Sequence, residues 1–296
     1  MKPLRLALLP YPVPVERPDG VPAFATKLDR LLDEARVGGA DLAVLPEYAC
    51  VELGASLCRA APPTEAAELA AMVEAAPVIL ASMREAARRA GLWLVPGSLA
   101  MRDPDGLIRN RAPLIAPDGR VAFQDKQAMT RFESERWGVS AGAPPSVFET
   151  PWGRIGISIC YDVEFPLHVR AQVEAGAWLI LAPSCTDTLH GFNRVRLTAA
   201  ARAVENQCFV AVTPTVGEAP WSAALDVNRG QAAVFGPVDR DFPEDGVIAE
   251  GALDEPRWLF TDLDPKRIEA VREDGAVRNH LGWLGTVPPA PVARFA

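Results

Sequence analysis

Two short apolar runs bracket an amphipathic stretch near the N-terminus, and that order constrains the fold more than any other feature of the chain. Leu4–Leu9 and Asp41–Leu45 have the length and apolar content of buried strands. Between them, Ala23–Val37 places Phe24, Leu28, Leu31, Leu32 and Ala35 at helical spacing and is closed by Gly38 and Gly39. A strand, a helix and a second strand in that order pair in parallel, so a layered α/β fold is the leading architecture. Further along, Leu92–Ala100, Leu107–Ala116 and Val121–Lys126 read as strands joined by turns such as Asp103-Pro104-Asp105-Gly106. Arg154–Ile159, Trp178–Ala182, Cys208–Thr213, Ala232–Phe235 and Trp258–Leu263 complete the predicted strands, with helices over Phe192–Gln207 and Pro265–Glu273. The alanine-rich Thr64–Gly91 reads as two helical segments divided at Pro77. No composition break divides the 296 residues, so residues 1–285 form a single domain and residues 286–296 a Pro-rich tail that frays or packs on another subunit.

Charge and cysteine usage exclude several classes. A net charge of −8 with no dense basic run argues against nucleic acid as a partner. Five cysteines, without C-x-x-C pairs or zinc-type histidine spacing, predict a reducing, cytoplasmic setting and no metal site. The apolar run Leu4–Leu9 is broken by Pro10 and Pro12, too short for a secretory leader or a membrane span.

Three chemically useful groups fall at the ends of predicted strands: Glu47 after Asp41–Leu45, Lys126 closing Val121–Lys126, and Cys160 after Arg154–Ile159. Beyond Cys160, Asp162, Glu164 and Pro166 mark a helix start, with Asp162 as its cap. A strand, tight turn and helix would set the thiol near free helix N–H groups, which favour thiolate. Taken alone, the glutamate fits a helix cap, the lysine a solvated surface and the cysteine a small buried apolar residue. Taken together they lie at the edge where open α/β sheets bind ligands. A thiolate attacks an acyl or nitrile carbon, a carboxylate relays the thiol proton to the leaving amine, and an ammonium stabilises the oxyanion. The N–H of Tyr161 would be a second oxyanion donor, and no cofactor is required. Tyr48 and Tyr161, beside two of these groups, are candidates for substrate contact, as are Ser184, Cys185 and His190 in the segment after Trp178–Ala182. Arg131, Arg194 and His190 are candidates to meet a substrate carboxylate. The aperiodic stretch Gln127–Ala143 reads as a long functional loop.

The segments L-P-E-Y around Glu47, the strand ending at Lys126 and I-C-Y-D-V-E-F-P around Cys160 resemble the three signature segments of the nitrilase superfamily, the carbon-nitrogen hydrolases. The resemblance implies a four-layer αββα sandwich, a Glu47-Lys126-Cys160 triad, hydrolysis of a non-peptide C–N bond through a thioester, and homodimers. Within the loop, E-R-W-G-V-S-A-G is similar to the segment carrying the family's second glutamate, which falls on Glu135, with Glu133 close by. The expected activity is that of an amidase on a small amide. A nitrilase or an N-carbamoyl amine hydrolase would use the same scaffold, and a catalytically silent binding protein is the alternative of a different class. A Cys-His protease lacks its local signature, His168 falling in the helix predicted after Cys160.

Overall fold

The computed structural model describes residues 2–59 and 64–286. In chain order these residues form β1 (Leu4–Leu8), β2 (Tyr11–Pro12), α1 (Gly20–Val37), β3 (Leu42–Leu45), α2 (Gly54–Leu57), α3 (Glu65–Ala90), β4 (Trp93–Pro96), β5 (Leu99–Arg102), β6 (Ile108–Ile115) and β7 (Val121–Asp125). The second half adds β8 (Val147–Thr150), β9 (Gly153–Ile157), α4 (Pro166–Glu174), β10 (Leu179–Ser184), α5 (Leu189–Asn206), β11 (Phe209–Ala219), β12 (Asp226–Asn228), β13 (Ala233–Phe235), β14 (Val247–Glu250), β15 (Leu259–Leu263) and α6 (Pro265–Asp274). One sheet runs β15-β1-β3-β4-β6-β5 with β7 on β6, the other β14-β13-β11-β10-β9-β8 with β2 and β12 on β11. The parallel β1-β3-β4 set follows from the strand-helix-strand order of the N-terminal residues.

Side-chain alternation shows how the layers stack. Leu4, Leu6, Leu8, Leu42 and Val44 point into a cluster shared with Ile155, Ile157, Leu179 and Leu181 of the other sheet. Their neighbours Ala7, Leu9, Ala43 and Leu45 pack instead against Leu28, Leu32, Met72, Ile79 and Met83 of α1 and α3. Val169, Val173, Val195 and Ala199 of α4 and α5 join the core on the second sheet. The result is the expected αββα sandwich, with one helix pair outside each sheet.

The structure departs from the sequence expectations at several elements. Glu65–Ala90 is one helix of 26 residues with Pro77 inside it. Pro77 is exposed, and the buried stripe of the helix is uninterrupted. Although α3 is long and apolar enough to cross a membrane, that stripe is buried against α1 and the first sheet. The run Leu92–Ala100 is two strands, broken at Gly97. Asp162 does not cap α4. A 3-10 turn, Cys160–Glu164, intervenes, and α4 starts at Pro166 with no side-chain cap. The stretch Gln127–Ala143 contains a π-helical turn, Phe132–Trp137. Residues 287–296 of the tail lie outside the described residues.

Candidate active site

Glu47 leaves β3 at a point that two local features fix. Tyr48 has a left-handed backbone (φ 57°), which turns the chain directly after the carboxylate. Gly97, at φ +89°, lets the Pro46 carbonyl approach so closely that a Cβ there would sit 2.0 Å from its oxygen. Lys126 extends β7, its N–H donating to the Asn110 carbonyl (2.8 Å). Cys160 also takes a left-handed backbone (φ 47°) at the head of its 3-10 turn, a strained setting of the kind found at functional positions.

These strand ends converge. Lys126 Nζ donates to Glu47 Oε1 at 2.7 Å and to Glu133 Oε2 at 2.6 Å, with all three side chains buried. Asn110 Nδ2 bridges the carboxylates, 2.8 Å from Glu47 Oε1 and 3.0 Å from Glu133 Oε1. Tyr48 Oη donates to Glu133 Oε1 (3.1 Å), and the Thr130 N–H and hydroxyl donate to Oε2 (3.1 and 2.9 Å). Glu47 Oε2 accepts from the Cys185 N–H (3.2 Å), while the Cys160 thiol donates to the Cys185 carbonyl (3.7 Å) and interacts with Glu47.

Burial governs the ionisation of this cluster. It raises the Glu47 carboxyl above its ordinary range, Lys126 only partly opposing it and Glu133 adding to it. It also raises the Cys160 thiol well above its usual value, reinforced by the Glu47 charge. The expected α-helix N-terminus is not at the thiol: a 3-10 turn begins at Cys160, the α-helix starts only at Pro166, and the Glu47 carboxylate is the charge beside the sulfur. Burial alone would lower Lys126, but Glu47 and Glu133 overcome it and hold the ammonium. Burial likewise opposes the Glu133 charge, yet Lys126, Asn110 and Thr130 outweigh it and keep the carboxyl below its ordinary range.

The cluster forms the floor of a 670 Å³ cavity, with Tyr48, Met129, Phe132 and Trp137 on one wall and Tyr161, Thr186 and Asn228 on another. Of the substrate-contact candidates, Tyr48, Tyr161 and Cys185 line it, Cys185 serving the cluster through its backbone. Ser184 does not reach the cavity. It is buried, its hydroxyl donating to the Ala182 carbonyl (3.0 Å), because a strand places successive side chains on opposite faces. His190 is exposed on the first turn of α5, outside the lining. Glu135 is not brought to the cluster either. Its side chain is 56% exposed and pairs with Arg131 (2.9 Å), whereas that of Glu133 is 3% exposed. Arg131 and Arg194 do line the cavity, each already facing an acid, Glu135 and Glu164.

Sequence reasoning missed Asn110, Thr130 and Asp162. For Asn110 a signal existed. Ala112 and Leu114 face the sandwich, and residue 110 continues that face with a polar side chain. The fold brings the buried Asp162 carboxylate onto the N–H groups of Gln127 (3.1 Å) and Ala128 (2.7 Å), the two residues after Lys126. No local pattern in the sequence announces that contact.

Comparison with known proteins bears on the family and the fold. The family model for carbon-nitrogen hydrolases matches residues 18–273. A probable hydrolase of Bacillus subtilis, YhcX, is 32% identical over 86% of the chain, and the chain spans 49% of that protein's length. An omega-amidase of Xenopus laevis is 27% identical, with 94% of this chain and 95% of that protein covered. Among solved structures, an amidase from Nesterenkonia carrying the acetamide moiety of fluoroacetamide on its active-site cysteine is 26% identical. It superposes with a TM-score of 0.71 over 95% of this chain and 97% of its own. A carbon-nitrogen hydrolase from Helicobacter pylori, 19% identical with a TM-score of 0.74 over 92% of each chain, shares the fold.

Proposed function

The chain belongs to the carbon-nitrogen hydrolase family, and from that premise we propose that it hydrolyses the C–N bond of a small amide through a thioester on Cys160. The observation that carries the reading is the buried Glu47-Lys126-Glu133 cluster set against the Cys160 thiol at the floor of a cavity. The acetamide adduct on the cysteine of the Nesterenkonia amidase supports it by analogy.

Glu47 takes the thiol proton as sulfur attacks the amide carbon. The resulting oxyanion is met by the Lys126 ammonium and by the Tyr161 N–H, next to the nucleophile. The protonated Glu47 returns its proton to the leaving nitrogen, and ammonia or an amine departs, leaving an acyl thioester. Water, deprotonated by the same carboxylate, cleaves the thioester, releasing the carboxylic acid and restoring the thiol. Glu133 holds Lys126 charged and in place.

Incubating the purified chain with short amides, the matching nitriles and N-carbamoyl amines, with ammonia and acid products quantified, tests the assignment. Turnover of amides, with an acyl mass trapped on Cys160, is expected. Turnover confined to nitriles or carbamoyl compounds would replace the substrate class, and ligand binding without turnover would make the chain a silent binder. Homodimers and a cytoplasmic setting belong to the same proposal, and sedimentation at micromolar concentration tests the first.

A further inference from the structure

The Cys160 turn carries a buried acid of its own, Asp162, outside the Glu47-Lys126-Glu133 cluster. Asp162 is fully buried, and its Oδ2 lies 3.7 Å from Nε2 of the buried His168. The hydrogen bonds behind His168 fix its proton. Gln172 Nε2 donates to two carbonyls, those of Ser146 (3.1 Å) and Ile157 (2.9 Å), so its Oε1 must face Ser158. The Ser158 hydroxyl donates its one hydrogen to that oxygen (3.0 Å) and can only accept from His168 Nδ1, also 3.0 Å away. His168 thus carries hydrogen on Nδ1, and Nε2 has no hydrogen-bond partner among the described residues, Asp162 Oδ2 at 3.7 Å being the acid it faces. A bare Nε2 opposite an ionised Oδ2 would set two acceptors face to face inside the protein.

We propose that Asp162 carries a proton on Oδ2, facing the bare Nε2 of His168 across 3.7 Å, and that this neutral pair positions the Cys160 turn against the Lys126 strand end. The proposal rests on the reading of Cys160 and Lys126 as reacting groups. The linkage is direct: Asp162 lies two residues from Cys160, and its Oδ1 accepts from the N–H groups that follow Lys126. Burial acts in the same sense, pushing Asp162 up to about 7 and His168 down to about 4. The other charges that Asp162 feels are Lys126, which opposes its protonation, and Glu47, which favours it. Ionising Asp162 would add a third carboxylate near one ammonium.

Two readouts test this. Nitrogen-15 spectra of the ring in the full chain, assigned by the signal lost in His168→Gln, should show the neutral Nδ1–H form with Nε2 unprotonated at about pH 6. An imidazolium or an Nε2–H ring would overturn the proposal. That result does not depend on activity, so it stands apart from any failure of the amidase reading. In turnover, Asp162→Asn keeps an acceptor for Gln127 and Ala128 and a donor for Nε2, whereas Asp162→Ala keeps neither. The alanine variant should lose about tenfold or more in kcat with little change in KM, and the asparagine variant should recover most of that loss; because ionising Asp162 would break the neutral pair, kcat in the wild type should fall as pH rises through its titration, and that alkaline fall should be absent in the asparagine variant. Equal behaviour of the two variants would overturn the positioning role.

Discussion

Replacing Glu133 by glutamine and, separately, Glu135 by glutamine tests the site at the point where spacing and structure diverge. Glu133 accepts from Lys126, Asn110, Tyr48 and both donors of Thr130. The amide of glutamine would turn N–H donors toward one of those donor sets and leave the buried ammonium with one carboxylate. Removing one partner of a buried charge pair costs about 3–5 kcal/mol, which for a chain of this size lowers Tm by on the order of 10 °C. Misplacing the Lys126 ammonium should cut kcat by about a hundredfold or more, the usual scale for losing an oxyanion donor. Glu135 pairs with Arg131 on the surface, so its replacement should leave kcat/KM within about twofold and Tm unchanged. Steady-state ammonia release and thermal denaturation of both variants provide the comparison. A harmless Glu133→Gln beside a damaging Glu135→Gln would refute the assignment.

Cys160→Ala should abolish turnover while leaving thermal stability near wild type, and peptide mass spectrometry should find trapped acyl groups on Cys160 and not on Cys50, Cys58, Cys185 or Cys208. Glu47→Gln and Lys126→Met should each lower kcat by on the order of a hundredfold, with Lys126→Met also destabilising because it strands two buried carboxylates; near-normal rates in either would remove that residue from the mechanism. Gly97→Ala should lower stability by about 3 kcal/mol or more and reduce kcat, since a Cβ would collide with the Pro46 carbonyl and shift Glu47; unchanged chemical denaturation would contradict this. Because Glu47 must be ionised to act and burial raises its pKa, kcat/KM should fall on the acid side at a pH above the ordinary carboxylate range, and an acid limb at or below that range would show that another group is the base.

The parts of the fold written in local periodicity were legible from the chain. The alternation around α1 set the parallel β1-β3 pairing, and apolar runs ending in Glu47, Lys126 and Cys160 marked three strand ends that converge in the structure. What was not legible depends on hydrogen bonds between distant segments or on a departure from regular helical spacing. The side chains of Glu133 and Glu135 are sorted by a π-helical turn, whose wider hydrogen-bond ring changes which residue faces inward. Asp162 looks like a helix cap by position, yet the fold supplies it with the N–H groups of Gln127 and Ala128, more than thirty residues earlier. Pro77 reads as a helix boundary, but on an exposed face the missing donor costs too little to interrupt a helix whose opposite side is packed.

The raised thiol pKa, which would make a free cysteine inert, is compatible with catalysis once charges are counted over the whole cluster. In the proposed mechanism the cluster starts with a neutral thiol, two carboxylates and the Lys126 ammonium, one net negative charge. Moving the proton from sulfur to Glu47 leaves that net charge the same, and forming the oxyanion only moves it again, toward the Lys126 ammonium. Burial therefore penalises exchange of a proton with bulk water far more than it penalises transfer between these groups. What sets the cost of the transfer is the gap between the thiol and the carboxyl, and burial raises both. Glu133 narrows the gap further, since its charge makes Glu47 a stronger base while Lys126 remains between them. In the proposed mechanism a second carboxylate on the lysine therefore takes part in the acid-base chemistry, because an ammonium shared with Glu133 holds the Glu47 charge less firmly than one devoted to Glu47 alone.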